Sequence, residues 1–299
     1  MRVATHPGGF HADDVFAIAA LRLAEGEVDV VRTRDPDVQA AADVRIDVGG
    51  RNDPVTGDFD HHQKGGAGER SNGIRYASFG LVWAHVGARV AGGEEQAAAI
   101  DARLVQGVDA NDNGQTIMES LVDDVQPMTV SGVVAALNPA WDEQLTPAEE
   151  EARFAQAVAL ATGILEREIA GAAGFQRARQ RVRDAIARAE DPRLIVLDGN
   201  MPWRQTVVEH APDARFVLYP KSDGWAMQAV PVAAGGFKNR LDLPEQWAGL
   251  TGAALAAATG VPDATFAHIA RFYAAARSRQ GITALAHLAL AAAPARAGG

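Results

Sequence analysis

The chain has 299 residues, no cysteine, eight histidines and a formal charge of −10. With 47 % hydrophobic and 22 % charged residues it supplies a folded core, which excludes global disorder, and its length suits two domains of about 150 residues or one large one. The missing thiols exclude a disulfide framework, a thiolate zinc site, an iron–sulfur cluster and a cysteine nucleophile, so any bound metal must use nitrogen and oxygen ligands.

In chain order, Arg2–His6 reads as a short strand and Ala12–Ala24 as an apolar helix. Val28–Arg32 and Val44–Val48 read as buried strands, and Asp53–Asp60 as a turn with a short strand. This alternation predicts an α/β fold with a parallel sheet covered by helices. Tyr76–Val90 and Glu94–Val108 read as two helices split at Ala91-Gly92-Gly93. Pro147–Glu190 has a helical pattern, with Phe154, Val158, Leu160 and Ile164 at helical spacing, and is expected to break at Gly171 and Gly174. Strand signals return at Leu194–Leu197, Arg215–Tyr219 and Trp225–Val232; Gly252–Thr259 and Ile282–Ala292 read as helices, and the tail Pro294–Gly299 should fray. The expected division is a domain of residues 1–190 and a smaller α/β domain of residues 191–299. No segment reaches the ~18 apolar residues of a membrane span, and the N-terminus goes straight into a strand pattern, so the expected compartment is the cytoplasm.

Histidine and aspartate concentrate in four short segments: His6–Asp14, Ile46–Gly50, Phe59–Gln63 and Val108–Gly114. All four are read at the carboxyl ends of strand signals or in the loops after them. In open α/β sheets ligands gather beyond the carboxyl ends of the strands, so the four segments can converge. Neutral imidazoles with carboxylates suit Mn²⁺, Co²⁺, Fe²⁺ or Zn²⁺ rather than Ca²⁺. Each residue alone has a plainer reading: Asp13 as a helix N-cap, Asp109 and Asp112 as turn formers with Asn113-Gly114. Taken together, the four clusters favour a metal site with enough ligands for two ions.

Asp60-His61-His62 resembles the signature of the DHH phosphoesterase superfamily. The wider pattern is similar to one branch, the melanocyte-proliferating-gene family of metal-dependent hydrolases. It runs through Thr5-His6, Phe10-His11-Ala12-Asp13-Asp14, Ile46-Asp47-Val48-Gly49-Gly50, Phe59-Asp60-His61-His62-Gln63 and Val108-Asp109-Ala110-Asn111-Asp112-Asn113-Gly114, then Phe237-Lys238-Asn239-Arg240 and Gln280-Gly281-Ile282. The resemblance implies a DHH-type catalytic domain followed by a smaller substrate-binding domain. It implies a two-metal centre, usually manganese, with Mg²⁺ or Co²⁺ as alternatives. His6, His11 and Asp47 would hold one ion, and Asp13, Asp47, His61 and Asp109 the other. His62 would face the scissile phosphate and Asp60 would orient the histidine pair; the expected catalytic set is His62, Asp60 and Asp14. One departure stands out: where the family expects a glycine-rich loop after Phe266-Ala267-His268, this chain has alanines, and Arg271, Arg277 and Arg279 keep the segment basic.

On the substrate side, Lys238, Arg240, His268, Arg277 and Arg279 are the candidate phosphate contacts, and Phe237, Trp247 and Phe272 the candidate base-stacking groups. The function this implies is a divalent-metal phosphodiesterase acting as a 3′→5′ exonuclease on RNA or short oligonucleotides. The rivals are a small phosphoanhydride or cyclic-dinucleotide hydrolase and a non-catalytic metal- or nucleotide-binding protein. No membrane partner is expected, and the oligomeric state, a homodimer included, stays open.

Overall fold

The structure, a computed structural model, describes residues 1–292; the tail expected to fray lies outside them. The described residues form a mixed α/β protein with two five-stranded sheets and flanking helices. By contacts the chain divides into two compact units, Met1–Gly174 and Phe175–Gly299.

The first unit is built on β1 (Arg2–Thr5), β2 (Asp29–Arg32), β3 (Val44–Ile46), β4 (Asn52–Asp53) and β5 (Asp58–Phe59). The sheet order is β2-β1-β3-β5-β4; β2, β1, β3 and β5 run parallel, and only the edge strand β4 is antiparallel. The chain starts in β1, adds β2 on one side and then β3 on the other, so the strand order reverses at β1/β3. That reversal opens a crevice at the carboxyl ends of the strands.

Helix α1 (Ala12–Glu25) packs against α3 (Ser78–Ala91), while α2 (Pro36–Ala40) is a short connector started by the Asp35 side chain. Phe16 and Phe79 are fully buried with ring centroids 5.3 Å apart and tie these two helices into the core of the unit. The region expected as one helix over Glu94–Val108 is three segments: α4 (Glu94–Ile100), a π-helical turn over Asp101–Val105, and α5 (Gln106–Asp112). Val105, Val108 and Ala110 are buried, which keeps the chain helical through Asp112, so the fourth His/Asp segment lies on a helix and not at the end of a strand or in the loop after one. α6 (Val130–Ala135), capped by Thr129, follows a long exposed loop.

Helix α7 (Pro147–Ala187) is continuous through Gly171 and Gly174, against the expected break. A glycine costs a helix only about 1 kcal/mol, and packing on both sides of the pair outweighs that cost. Phe154, Val158 and Leu165 join the core of the first unit, and Val182 and Ala185 a core of the second.

The second unit has the sheet order β6 (Leu194–Val196), β7 (Phe216–Lys221), β8 (Gly224–Ala229), β10 (Tyr273–Ala276), β9 (Ala264–Ala267). Only β6/β7 is parallel. α8 (Arg204–His210), α9 (Gly252–Thr259) and α10 (Arg279–Ala291) accompany it. The alanines that replace the expected glycine loop have a structural reason: Ala274, Ala275 and Ala276 are buried in β10, between two other strands. The residue that carries a glycine-like backbone is Arg271 (φ 57°), whose carbonyl accepts the Leu243 N–H and whose side chain meets Asp242 at 3.2 Å.

Phe16→Ala should lower the unfolding free energy by about 3–5 kcal/mol. Urea unfolding followed by circular dichroism measures this; a loss below about 1 kcal/mol would place Phe16 outside the core.

Candidate metal centre

Three parallel strands deliver the first groups. His6 follows β1, Asp47 follows β3, and Asp60, His61 and His62 follow β5, all at the carboxyl end of the sheet. Helix α1 adds His11 at its N-cap with Asp13 and Asp14 in its first turn, and the last turn of α5 adds Asp112. Three triples, His6/His11/Asp47, Asp47/His61/His62 and Asp13/His61/Asp112, each bring one ligand atom per residue to within 4.8 Å of the others. Asp47 belongs to two of them and holds a left-handed backbone (φ 57°) that non-glycine residues rarely adopt. Such backbones cluster where function over-determines the conformation.

The donor set fits a cation. His6 Nδ1 lies 3.3 Å from the Pro7 carbonyl, which fixes the proton there and leaves the Nε2 lone pair facing Asp47 Oδ2 at 3.4 Å and Asp14 Oδ2 at 3.6 Å. His61 Nε2 sits 3.3 Å from Asp47 Oδ1 and 3.1 Å from Asp112 Oδ2. His6 Nε2, His61 Nε2 and Asp14 Oδ2 are buried with no hydrogen-bond partner. Lone pairs that converge without donors between them are satisfied by a positive charge at their centre.

The groups around this centre are themselves held. Asp13 accepts the N–H groups of Ser78 (2.9 Å) and Phe79 (2.6 Å), so it caps α3 across space instead of its own helix. Asp14 accepts the His11 N–H at 2.8 Å. Asp60 accepts N–H groups from Gly50 (2.6 Å) and His62 (3.0 Å) and holds His62 Nδ1 at 2.8 Å. Sequence reasoning missed Asn138, whose side chain hydrogen-bonds both the N–H and the carbonyl of Phe10 (2.9 and 2.8 Å) and so fixes the strand-to-helix connection carrying His11.

A family model described as MYG1_exonuc, an uncharacterised protein family (UPF0160), matches residues 2–290. The chain belongs to the MYG1 family. Bovine MYG1 exonuclease is 33 % identical over 332 aligned residues, covering 98 % of this chain and 86 % of that protein. Human MYG1 exonuclease is 32 % identical, with 97 % of this chain and 86 % of that protein covered. The MYG1 protein of Chlamydia trachomatis is 30 % identical, with 89 % and 88 % covered. No solved structure matches the chain.

In this MYG1-family chain most of the sequence-derived ligands converge: His6, His11, Asp13, Asp47 and His61 all fall in the triples, and His62 joins Asp47. Asp109 falls in none of them. It is fully buried against Arg70 Nη1 (2.7 Å) and the Gly80 N–H (3.0 Å), and Asp112, one turn on, occupies the place beside His61. The pattern Asp109…Asp112 contained both, and only the helical register of α5 separates them.

The sequence-derived substrate residues lie in the second unit. Arg240 turns inward and donates to the carbonyls of Val208, Ala211, Pro212 and Ala214, at the C-terminal end of α8. His268 Nδ1 accepts the Ala270 N–H, and its ring lies 4.5 Å from that of Phe272. Arg279 lies over Trp225 at 5.7 Å, Arg277 and Lys238 are exposed, Phe237 is 96 % exposed, and Trp247 is buried in the core.

Electrostatics in the cluster follow burial. Burial pushes Asp14 up to about 8 and Asp13 well above the carboxylate range, the latter helped by Asp47 and Asp112. Burial also opposes ionisation of Asp47, but the neighbouring His61, His62 and His6 together hold it low. Burial opposes a charge on His61, yet the close carboxylates of Asp112, Asp47 and Asp13 raise it to about 11. Asp14 therefore binds its proton more tightly folded than unfolded. Its contribution to stability is complete below about pH 4 and is lost as pH rises through about 8. A divalent cation held by the neighbouring His6 and Asp47 would favour the ionised form of Asp14, so its stabilising effect should grow with pH. Thermal melts with and without Mn²⁺ should show a larger Tm increase at pH 8 than at pH 6; an increase that shrinks with pH would contradict this assignment.

Proposed function

We propose that the chain is a divalent-metal-dependent phosphodiesterase of the DHH type, working as a 3′→5′ exonuclease on RNA or short oligonucleotides. The observation that carries the reading is the convergence of unpartnered histidine and carboxylate lone pairs on Asp47 at the β1/β3 reversal. The exonuclease names of the mammalian relatives support a nucleic-acid substrate.

In this reading His6, His11 and Asp47 hold one Mn²⁺ and Asp13, Asp47, His61 and Asp112 the other, with Asp47 shared. Two such ions, when bound, supply Lewis acidity at phosphorus and the charge that balances the phosphodiester. The protein's own groups do the rest. Asp60 and Asp47 hold His62 Nδ1 at 2.8 and 3.3 Å, which turns the Nε2 edge of a 62 % exposed side chain outward. With the ring protonated, Nε2–H donates to a phosphoryl oxygen as negative charge builds there. Asp14, through the His11 N–H and its position beside His6 Nε2, sets the orientation of that histidine pair. In the second unit, exposed Lys238 and Arg277 are cationic contacts for phosphate and exposed Phe237 a stacking surface for a base. Arg240, spent on backbone carbonyls, is left out of that set.

The test is a hydrolysis panel with Mn²⁺: oligoribonucleotides labelled at either end, single-stranded DNA, pyrophosphate and cyclic dinucleotides. Stepwise release of mononucleotides from the 3′ end is expected, reduced at least about 100-fold in Asp47→Ala. Turnover of pyrophosphate or cyclic dinucleotides alone would overturn the exonuclease assignment. Elemental analysis should also find less metal in His61→Ala than in the wild-type chain.

A further inference from the structure

Arg70 lies outside every motif that pointed to the site, yet it is one of the most engaged side chains of the first unit. Its side chain is 7 % exposed. Nη1 donates to Asp109 Oδ2 at 2.7 Å, Nη2 and Nε to the two oxygens of Asp101 at 2.7 and 3.1 Å, and the guanidinium lies 4.1 Å from the Tyr76 ring centroid. The π-helical turn starts at Asp101, and Gln106 Nε2 donates to the same carboxylate at 2.7 Å.

Asp109 has a second obligation. Its Oδ1 accepts the Gly80 N–H at 3.0 Å, and a Cβ at Gly80 would overlap Oδ2. Ser78 and Phe79 give their N–H groups to Asp13. Three consecutive N–H groups of the first turn of α3 are therefore satisfied by carboxylates from α1 and α5, while the residue at its own N-cap is Ala77, which has no side-chain acceptor. Ser78 also brings its hydroxyl to 3.4 Å from Asp47 Oδ1. If Asp109 turned toward a cation, it would leave Arg70 Nη1 and the buried Gly80 N–H without their acceptor, and both omissions are costly.

We infer that Asp109 is not a ligand of the proposed centre and that Arg70 is a positioning residue. Arg70 holds Asp109 as a cap on α3, and the clamped first turn of α3 aims Asp13 and Asp47 at the ions. The carboxylate that α5 contributes to the ions is Asp112. This inference rests on the metal reading above. Lysine cannot reproduce the arrangement, because its single ammonium lacks the planar fork that spans Asp101 and Asp109.

The test is Mn²⁺ titration of the full chain by electron paramagnetic resonance, with elemental analysis and thermal melts alongside. Asp109→Asn should keep the wild-type number of bound equivalents, with affinity reduced about 10-fold, whereas Asp112→Asn should lose an equivalent. Arg70→Lys should keep the equivalents and weaken binding by about 10-fold, and Arg70→Gln combined with Asp109→Asn should weaken it no further than Arg70→Gln alone. Loss of an equivalent in Asp109→Asn to match Asp112→Asn overturns the exclusion of Asp109. A lower Tm with unchanged Mn²⁺ affinity in Arg70→Lys overturns the positioning role, since a purely structural pair would behave that way. Should Asp109→Asn fail to fold, the Arg70→Lys affinity decides. A wild-type chain that binds no Mn²⁺ overturns the underlying metal reading, and this inference with it.

Discussion

Asp13, Asp14, Asp47 and Asp109 are all buried, and four carboxylates held together away from water repel one another unless each is given donors or a cation. Much of the first unit is arranged to meet that condition. Asp109 is neutralised by Arg70, Asp13 takes the free N–H groups of α3, and Asp14 takes the His11 N–H and keeps its proton near neutrality. Asp47 is treated differently: histidines surround it from two strands, its backbone sits in a left-handed conformation, and the Ser78 hydroxyl lies 3.4 Å away. The positive charge that would complete the set belongs beside this residue.

The parallel sheet makes the convergence economical. Successive strands that run the same way place their following residues at one edge, so segments far apart in sequence reach one crevice without long loops. The helices then supply what strands lack. The start of α3 offers free N–H groups to anionic side chains, and α1 and α5 answer with Asp13 and Asp109. In the proposed reading Asp13 serves both a helix terminus and the cation cluster, which would link the stability of the unit to the charge state of the site.

Strand and helix placement in the first half was legible because period and punctuation agreed there: the helix read over Ala12–Ala24 and the one read over Tyr76–Val90 lie within a residue or two of α1 and α3. The His and Asp residues after strands were legible for the same reason. Asp112 and Asp109 were not separable, since both sit in one short run and their roles depend on a π-helical turn that no periodicity announces. Arg70 and Asn138 carried no motif at all; each acts through hydrogen bonds to residues far away in sequence. Arg240 illustrates the opposite error, a cation that resembles a phosphate contact by composition but is consumed by four backbone carbonyls. Gly171 and Gly174 show that glycine is a weak stop signal when the helix has apolar faces to bury on either side.

The central claim is that Asp47 sits between two cations. Anomalous diffraction at the manganese edge, from crystals grown with Mn²⁺, tests it most directly. The account predicts two peaks, one bonded to His6, His11 and Asp47 and the other to Asp13, Asp47, His61 and Asp112. No peak within bonding distance of Asp47, or a peak ligated by Asp109, would contradict it.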